Sequence, residues 1–166
     1  MATGTVKSFM DGVLVIKDAT GEDPENYITI AMGEGGLRFT INTPKRVKKD
    51  RGALDHVLNG EEEPLEWSIE ADFRGMVGAA NTTNANTLIY EALHAISSGS
   101  DWASDEPSSN THAVNIQLTI TDPGDATAEI ITLPRSFCET FEVAEGAEGN
   151  TLVASGRSMV VHPVIT

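Results

Sequence analysis

The sequence predicts a mainly β fold, a β-sandwich or barrel-like domain with one flanking α-helix. Short segments of alternating apolar and polar residues recur along the chain, and turn-forming residues separate them. One stretch has a helical period instead. Repeated short strands are typical of sandwiches and barrels. We expect a single domain over residues 1–166, because this length suits one core and no linker or internal repeat interrupts the pattern.

The first third of the chain contains three predicted strands. GVLVIKDATG predicts the first at about residues 13–18, between a turn at Asp11-Gly12 and Gly21. NYITIAMGEGGLRFTIN predicts two more, and the glycine-rich segment 33–36 would join these two in a hairpin.

The segment PLEWSIEADF alternates without a break, so it predicts a half-buried strand with an acidic open face. The inward positions are all apolar: Leu65, Trp67, Ile69, Ala71 and Phe73. The outward positions are polar or acidic: Glu66, Ser68, Glu70 and Asp72.

A second predicted hairpin spans HAVNIQLTITDPGDATAEIITL, with its turn at residues 122–125. The last third carries two or three further short strands. One helix is predicted at about residues 85–98, because NANTLIYEALHAISSG places apolar residues at helical spacing. This stripe is expected to pack against a sheet, and it consists of Leu88, Ile89, Ala92, Leu93 and Ile96.

A long charged loop is predicted at about residues 43–64, TPKRVKKDRGALDHVLNGEEEP. It contains five basic residues, then five acidic ones among Asp50, Asp55 and residues 61–63, and no aromatic residue. Three interpretations are open: a nucleic-acid grip, a plain exposed loop, or a surface for self-association. A nucleic-acid patch would normally lack the acidic half and carry aromatic rings. Opposite charge at the two ends favours self-association.

The remaining composition gives no sign of a reaction. The formal net charge of −14 opposes general binding to duplex DNA, which depends on neutralising phosphates. The four histidines and the single Cys138 lack metal-ligand spacing, and no serine lies in a nucleophile motif. We therefore expect no catalytic residue, metal or cofactor, and no enzymatic activity. No apolar run is long enough to span a membrane.

The order of these features resembles the tail tube (major tail) proteins of long-tailed bacteriophages. The most specific block is Arg51-Gly52-x-Leu54-Asp55, followed by Gly60-x-Glu62-x-Pro64 and the alternating strand. The helix segment TLIYEALHAISSG, the late hairpin and the closing TFEVAEGAEGNTLVASGRSMV fit the same order. The resemblance covers most of the chain.

The resemblance implies a structural virion protein that assembles into hexameric rings. Stacked rings would form the tail channel, through which genomic DNA passes without specific binding. Expected partners are copies of the chain and other tail proteins such as the tape measure, sheath and terminator. The expected location is the virion tail, assembled in the host cytoplasm. The charged loop would clamp neighbouring subunits through Lys45, Arg46, Lys48, Lys49, Arg51, Asp55, Glu61, Glu62 and Glu63.

Two assignments stay open at this stage. Glu66, Glu70 and Asp72 are candidates for an acidic lumen wall that lets DNA slide, although the same face could be the outer, solvated face of the sheet. The alternative functions are a related ring-forming tail protein, such as a tail terminator, and a β-sandwich module that binds carbohydrate or protein.

Overall fold

The computed structural model describes residues 12–18, 26–30, 35–50, 53–72, 89–94, 102, 104, 111–121, 128–146 and 149–166; the side chains of residues 50, 53–56, 72, 146, 149 and 150 are not included in this description. Within these ranges the fold is mainly β with one short helix, which confirms the predicted fold class. The strands are β1 Gly12–Lys17, β2 Tyr27–Ile30, β3 Gly36–Thr40, β4 Lys45–Asp50, β5 Ala53–Asn59, β6 Leu65–Asp72, β7 Val114–Thr121, β8 Ala128–Gly146, β9 Gly149–Ser158 and β10 Val164–Ile165; the helix α1 is Ile89–His94.

The main sheet is antiparallel and its strand order is β2-β1-β7-β8-β9-β6-β3, with β10 beside β8. Ser136 of β8 pairs with both Val114 of β7 and Ser158 of β9, so these two strands lie on opposite edges of β8. The first half of this long strand pairs with β7 and the second half with β9. β8 therefore joins two halves of one sheet, whose described ends are β2 and β3 and do not pair with each other.

A bulge bends β8 where it passes from one half of the sheet to the other. The register with β7 shifts between Val114 and Ile116, and Arg135 has a positive φ of 50°. A bulge inserts residues into one strand and bends it. The carbonyls at this bend are satisfied by buried serines: Ser136 Oγ donates to Leu133 O at 3.0 Å, and Ser158 Oγ donates to Pro134 O.

The bend lets the two halves of the sheet share one core. Buried side chains of β1, β2 and β7 belong to the same apolar cluster as those of β6 and β9. The predicted alternation is confirmed on two strands, with Leu65, Trp67, Ile69 and Ala71 buried on β6 and Val114, Ile116, Leu118 and Ile120 buried on β7. The arrangement is a sandwich that stays open within the described residues.

The helix α1 packs its apolar stripe into the same core. Ile89, Ala92 and Leu93 are buried, as the sequence predicted, whereas Leu88, Ile96 and the rest of the predicted span lie outside the described residues. The ring of Phe141 on β8 lies 5.2 Å from that of Tyr90, edge to face. This aromatic contact ties the helix to β8.

The predicted hairpin between β2 and β3 is wrong. β2 pairs with β1, while β3 pairs with β6 at the opposite end of the strand order. The physical reason is that each strand forms apolar cross-strand pairs with another partner: Ile28 lies opposite Ile16 of the preceding strand, and Phe39 lies opposite Trp67 of β6. Alternation marks a strand, but it does not select that strand's neighbour.

Candidate assembly interface

Residues 45–50 and 53–59 form a β-ribbon, which we call the arm. Its strands β4 and β5 make a two-stranded sheet separate from the main one. The sequence predicted a long charged loop over residues 43–64, and the structure corrects this. The sequence does not predict β4 as a strand because four of its six residues are basic, and lysine is depleted from strands. In the register of β4 with β5, Val47 lies opposite Val57, which gives the arm an apolar cross-strand pair.

The base of the arm is held by several polar contacts. Gly60 N donates to Pro44 O at 2.7 Å, and Lys45 Nζ donates to Asn59 Oδ1 at 2.7 Å. A Cβ at Gly60 would lie 2.9 Å from Pro44 O, so glycine is what lets the two segments converge. These contacts fix where the arm leaves the sandwich.

Both faces of the arm are exposed to solvent. Val47 is 55% exposed, Val57 is 53% exposed, and Leu58 on the other face is 48% exposed. An isolated two-stranded hairpin is marginally stable in water. The exposed apolar side chains make this ribbon a candidate surface for contact with another protein.

The structure separates the predicted interface charges into a basic strand and an acidic base. Lys45, Arg46, Lys48 and Lys49 are all exposed on β4, and residues 61–63, all glutamates, are exposed after β5. Arg46 Nη2 lies 3.5 Å from Glu61 Oε1, with both side chains largely in solvent. Such an exposed ion pair contributes little to stability.

Two predicted interface residues cannot be placed. Arg51 lies outside the described residues, and so does the side chain of Asp55. The backbone register does show that Asp55 is the extra residue at the irregularity in β5, because Lys48 pairs with His56 and Lys49 with Leu54. Their role at an interface stays a prediction.

The face of the sheet that contains the candidate lumen residues is less acidic than β6 alone, because neighbouring strands contribute to it. Glu66 and Glu70 are exposed on the outer face of β6, as predicted, while the Asp72 side chain is not described. In the sheet, however, Arg157 of β9 lies opposite Glu66, and Arg38 of β3 lies opposite Ser68. The uniformly acidic face expected from the sequence is therefore a mixed one, since neighbouring strands contribute arginines. Its role as a lumen wall stays a prediction.

A cleft of about 180 Å³ lies at the base of the arm and bears on the carbohydrate-binding alternative. Its described lining is mostly polar or small, including Asn42, Lys45, Glu62 and His162, and none of these described residues is Trp, Tyr or Phe. Sugar-binding sites commonly offer an aromatic face, so this cleft gives that alternative no support.

Two histidines that the sequence did not single out occupy the interface between helix and sheet. His112 Nε2 donates to Ala92 O at 2.9 Å, and His94 stacks beside Tyr90 at 4.7 Å between ring centroids. His94 Nε2 is buried and has no hydrogen-bond partner in the described part of the chain. Burial lowers the pKa of both imidazoles below the usual 6.5. Their positions suit packing.

The thiol of Cys138 is in an environment that disfavours its reactive thiolate form. Burial raises its pKa to about 11, and Sγ donates to Thr140 O at 3.3 Å. A neutral thiol is a poor nucleophile.

Among the described residues, no group of three His, Cys, Asp or Glu side chains could hold a metal ion. The one described helix, α1, is too short to cross a membrane.

Comparison with known proteins gives relatives by fold and none by sequence. No protein-family model matches the chain, and no curated protein matches it. The sheath/tube terminator of an extracellular contractile injection system (PVC), in its extended state, has a TM-score of 0.60 at 7% identity, with 99% of each chain covered.

Two further structures come from the anti-feeding prophage. Its tube-terminating cap gives a TM-score of 0.57 at 10% identity, with 100% of this chain and 94% of that chain covered. A chain of its 6-fold symmetrised baseplate gives 0.52 at 12% identity, with 100% and 97% covered. The chain thus shares its fold, over its whole length, with chains from these injection-system particles.

Proposed function

We propose that the chain is a structural subunit of a phage-tail-like particle and forms a ring that ends the tail tube, as a terminator or cap does. The observation that carries this proposal is the fold shared with a sheath/tube terminator over 99% of both chains. The tube-terminating cap supports the same role. The resemblance in sequence favoured the tube subunit itself. The shared fold instead favours the related ring-forming tail protein, such as a tail terminator.

The arm supports assembly independently of the comparisons. A hairpin with apolar side chains exposed on both faces is expected to be covered in the functional state. An arm that contacts a different surface on the next subunit makes a heterologous interface, and such interfaces generate closed rings when the rotation closes. Copies of the chain and other tail proteins are the proposed partners.

The proposal assigns no reaction to the chain. DNA would pass through the ring without specific binding, in keeping with the formal net charge of −14. Glu66, Glu70 and Asp72 remain the candidates for a wall that faces the passing DNA. The proposed location is the tail of the particle.

The test is the assembly state of the purified protein across a range of concentrations. Light scattering coupled to size exclusion, with negative-stain microscopy, should show closed rings of one subunit number that do not lengthen. Stacked tubes that grow with concentration would instead assign the chain to the tube. A protein that stays monomeric at every concentration would contradict both ring-forming roles.

An arm variant provides the matched control for that test. Replacing Val47 and Val57 by serine removes exposed apolar surface while leaving the buried core of the sandwich untouched. Circular dichroism should be unchanged, and the rings should dissociate to monomers. Rings that survived this change with unaltered stability would show that the arm does not hold them together.

A further inference from the structure

We infer that the outer edge of β4 in the arm pairs with an edge of β8, at residues 139–145, on a second copy of the chain; no described strand occupies that edge. This inference rests on the proposed ring-forming function and names the surface that receives the arm. It is a strand-addition contact, in which backbone hydrogen bonds join two sheets.

Among the described strands, none pairs with the receiving edge of β8 beyond the point where β7 ends. β7 pairs with β8 as far as Val114 opposite Ser136, and beyond that point β8 pairs with β9 on its other edge alone. The described strands place nothing against the edge that β7 leaves. Residues 142–145 are exposed on both faces, and Val143 is 46% exposed although it points to the same face as the buried Leu152 opposite. The end of β8 thus extends beyond the core.

The donating edge lies on the arm. β4 pairs with β5 on one edge, and no described strand pairs with its other edge. Unpaired strand edges present rows of unsatisfied backbone groups, and proteins normally cover or blunt them. Joining the two edges would satisfy both. Since β4 and β8 of one chain belong to separate sheets, the contact is assigned to a second copy.

The side chains on the two edges are complementary. β4 carries four exposed basic residues around Val47, whereas the β8 edge carries three exposed glutamates, Glu139, Glu142 and Glu145, around Val143. Glu139 already contacts Arg157 of its own chain at 3.6 Å, so the charges available to a partner are those of Glu142 and Glu145. Opposite charges beside a pair of valines favour cross-strand contacts and oppose pairing of either edge with its own copy.

Charge reversal on each edge separately tests the pairing. Lys48→Glu with Lys49→Glu makes the arm acidic, and Glu142→Lys with Glu145→Lys makes the β8 edge basic. Each variant alone should assemble about tenfold more weakly than the wild type at low salt, because like charges then face each other. All these side chains are exposed, so circular dichroism and urea unfolding should match the wild type.

Mixing the two variants is the decisive experiment. In a ring that alternates them, every arm meets an edge of opposite charge, so a 1:1 mixture should recover the assembly that each variant alone loses. A chain carrying all four substitutions should likewise assemble by itself. Glu66→Lys with Glu70→Lys is the matched control: it removes the same number of exposed glutamates from another strand and should leave assembly unchanged.

The outcomes separate this inference from the proposed function. Rings that form equally well with either reversal, or a mixture that fails to recover assembly, would overturn the pairing of β4 with β8 while leaving a ring-forming subunit intact. A wild-type chain that never forms rings would overturn both. Equal weakening by the control would attribute the effect to net charge and also overturn the pairing.

Discussion

The sandwich and the arm are built from the same kind of strand but differ in what surrounds their side chains. Val114, at the start of β7, is fully buried, whereas Val47 in β4 is 55% exposed. The sandwich buries one continuous apolar cluster drawn from both halves of its sheet. The arm has a single cross-strand valine pair and solvent on both faces.

This difference separates stability from assembly. Burial of apolar surface is worth about 25 cal/mol per Å², so the sandwich is stabilised by its own core. The arm leaves its valines exposed, so under the proposed function it would bury apolar surface only against a partner. Substitutions in the sandwich should therefore change unfolding, and substitutions in the arm should change association.

The largest expected effect lies inside the sandwich, at Gly156 of β9. A Cβ there would lie 1.9 Å from Phe137 O and 3.0 Å from the Cα of Cys138. Both atoms belong to the backbone of β8, which cannot move without disturbing the strand that joins the two halves. We expect Gly156→Ala to cost about 3 kcal/mol or more, or to prevent folding, as measured by urea unfolding.

Gly36→Ala in β3 is the matched control. A Cβ at Gly36 would meet nothing within 4 Å, so this variant should be as stable as the wild type or gain up to about 1 kcal/mol from a less flexible unfolded chain. Equal stability of the two alanine variants would show that the close approach of β8 and β9 does not constrain the sandwich.

The next prediction compares the same substitution, valine to alanine, at a buried site and at an exposed one. Val114→Ala removes two buried methyl groups and should lower the free energy of unfolding by about 2 kcal/mol. Val47→Ala removes the same atoms from a solvated site and should change it by less than about 0.5 kcal/mol. Urea titration of dilute, monomeric protein measures both. Similar losses from the two changes would mean that the arm is part of the cooperative core.

Local patterns explain what the sequence could predict. The period of two on β6 placed Leu65, Trp67 and Ile69 inward, and they are buried. The helical spacing placed Ile89, Ala92 and Leu93 on one face, and they are buried too. In both cases the information lies within one element, because burial of a strand or helix follows its own period.

Pairing between distant segments explains what the sequence could not predict. Nothing in β3 indicates that it lies beside β6 rather than β2, and nothing in β6 indicates the arginines of β3 and β9 on its open face. The arm was hidden for a related reason, since a basic strand with solvent on both faces lacks the alternation that marks burial. Its strands become recognisable only through their register with each other.

The smallest effect sharpens the comparison through pH. Burial lowers the pKa of His94 and His112, so the unfolded chain takes up protons before the folded one as the pH falls. The stability of the sandwich should be fully present above about pH 6.5 and decline as the pH falls towards the lowered values. Besides burial, the charge of nearby His94 lowers the pKa of His112. The hydrogen bond to Ala92 O and the charge of Asp18 raise the pKa of His112 and so oppose these effects.

His94→Phe should flatten that decline while keeping the ring contacts with Tyr90 and Phe141, because phenylalanine has no nitrogen to protonate. Urea midpoints at pH 8 and pH 5.5 for the two proteins measure the difference, and equal declines would assign the acid sensitivity elsewhere. Acid would thus loosen the contact between helix and sandwich, which makes pH a way to weaken the region where both histidines lie.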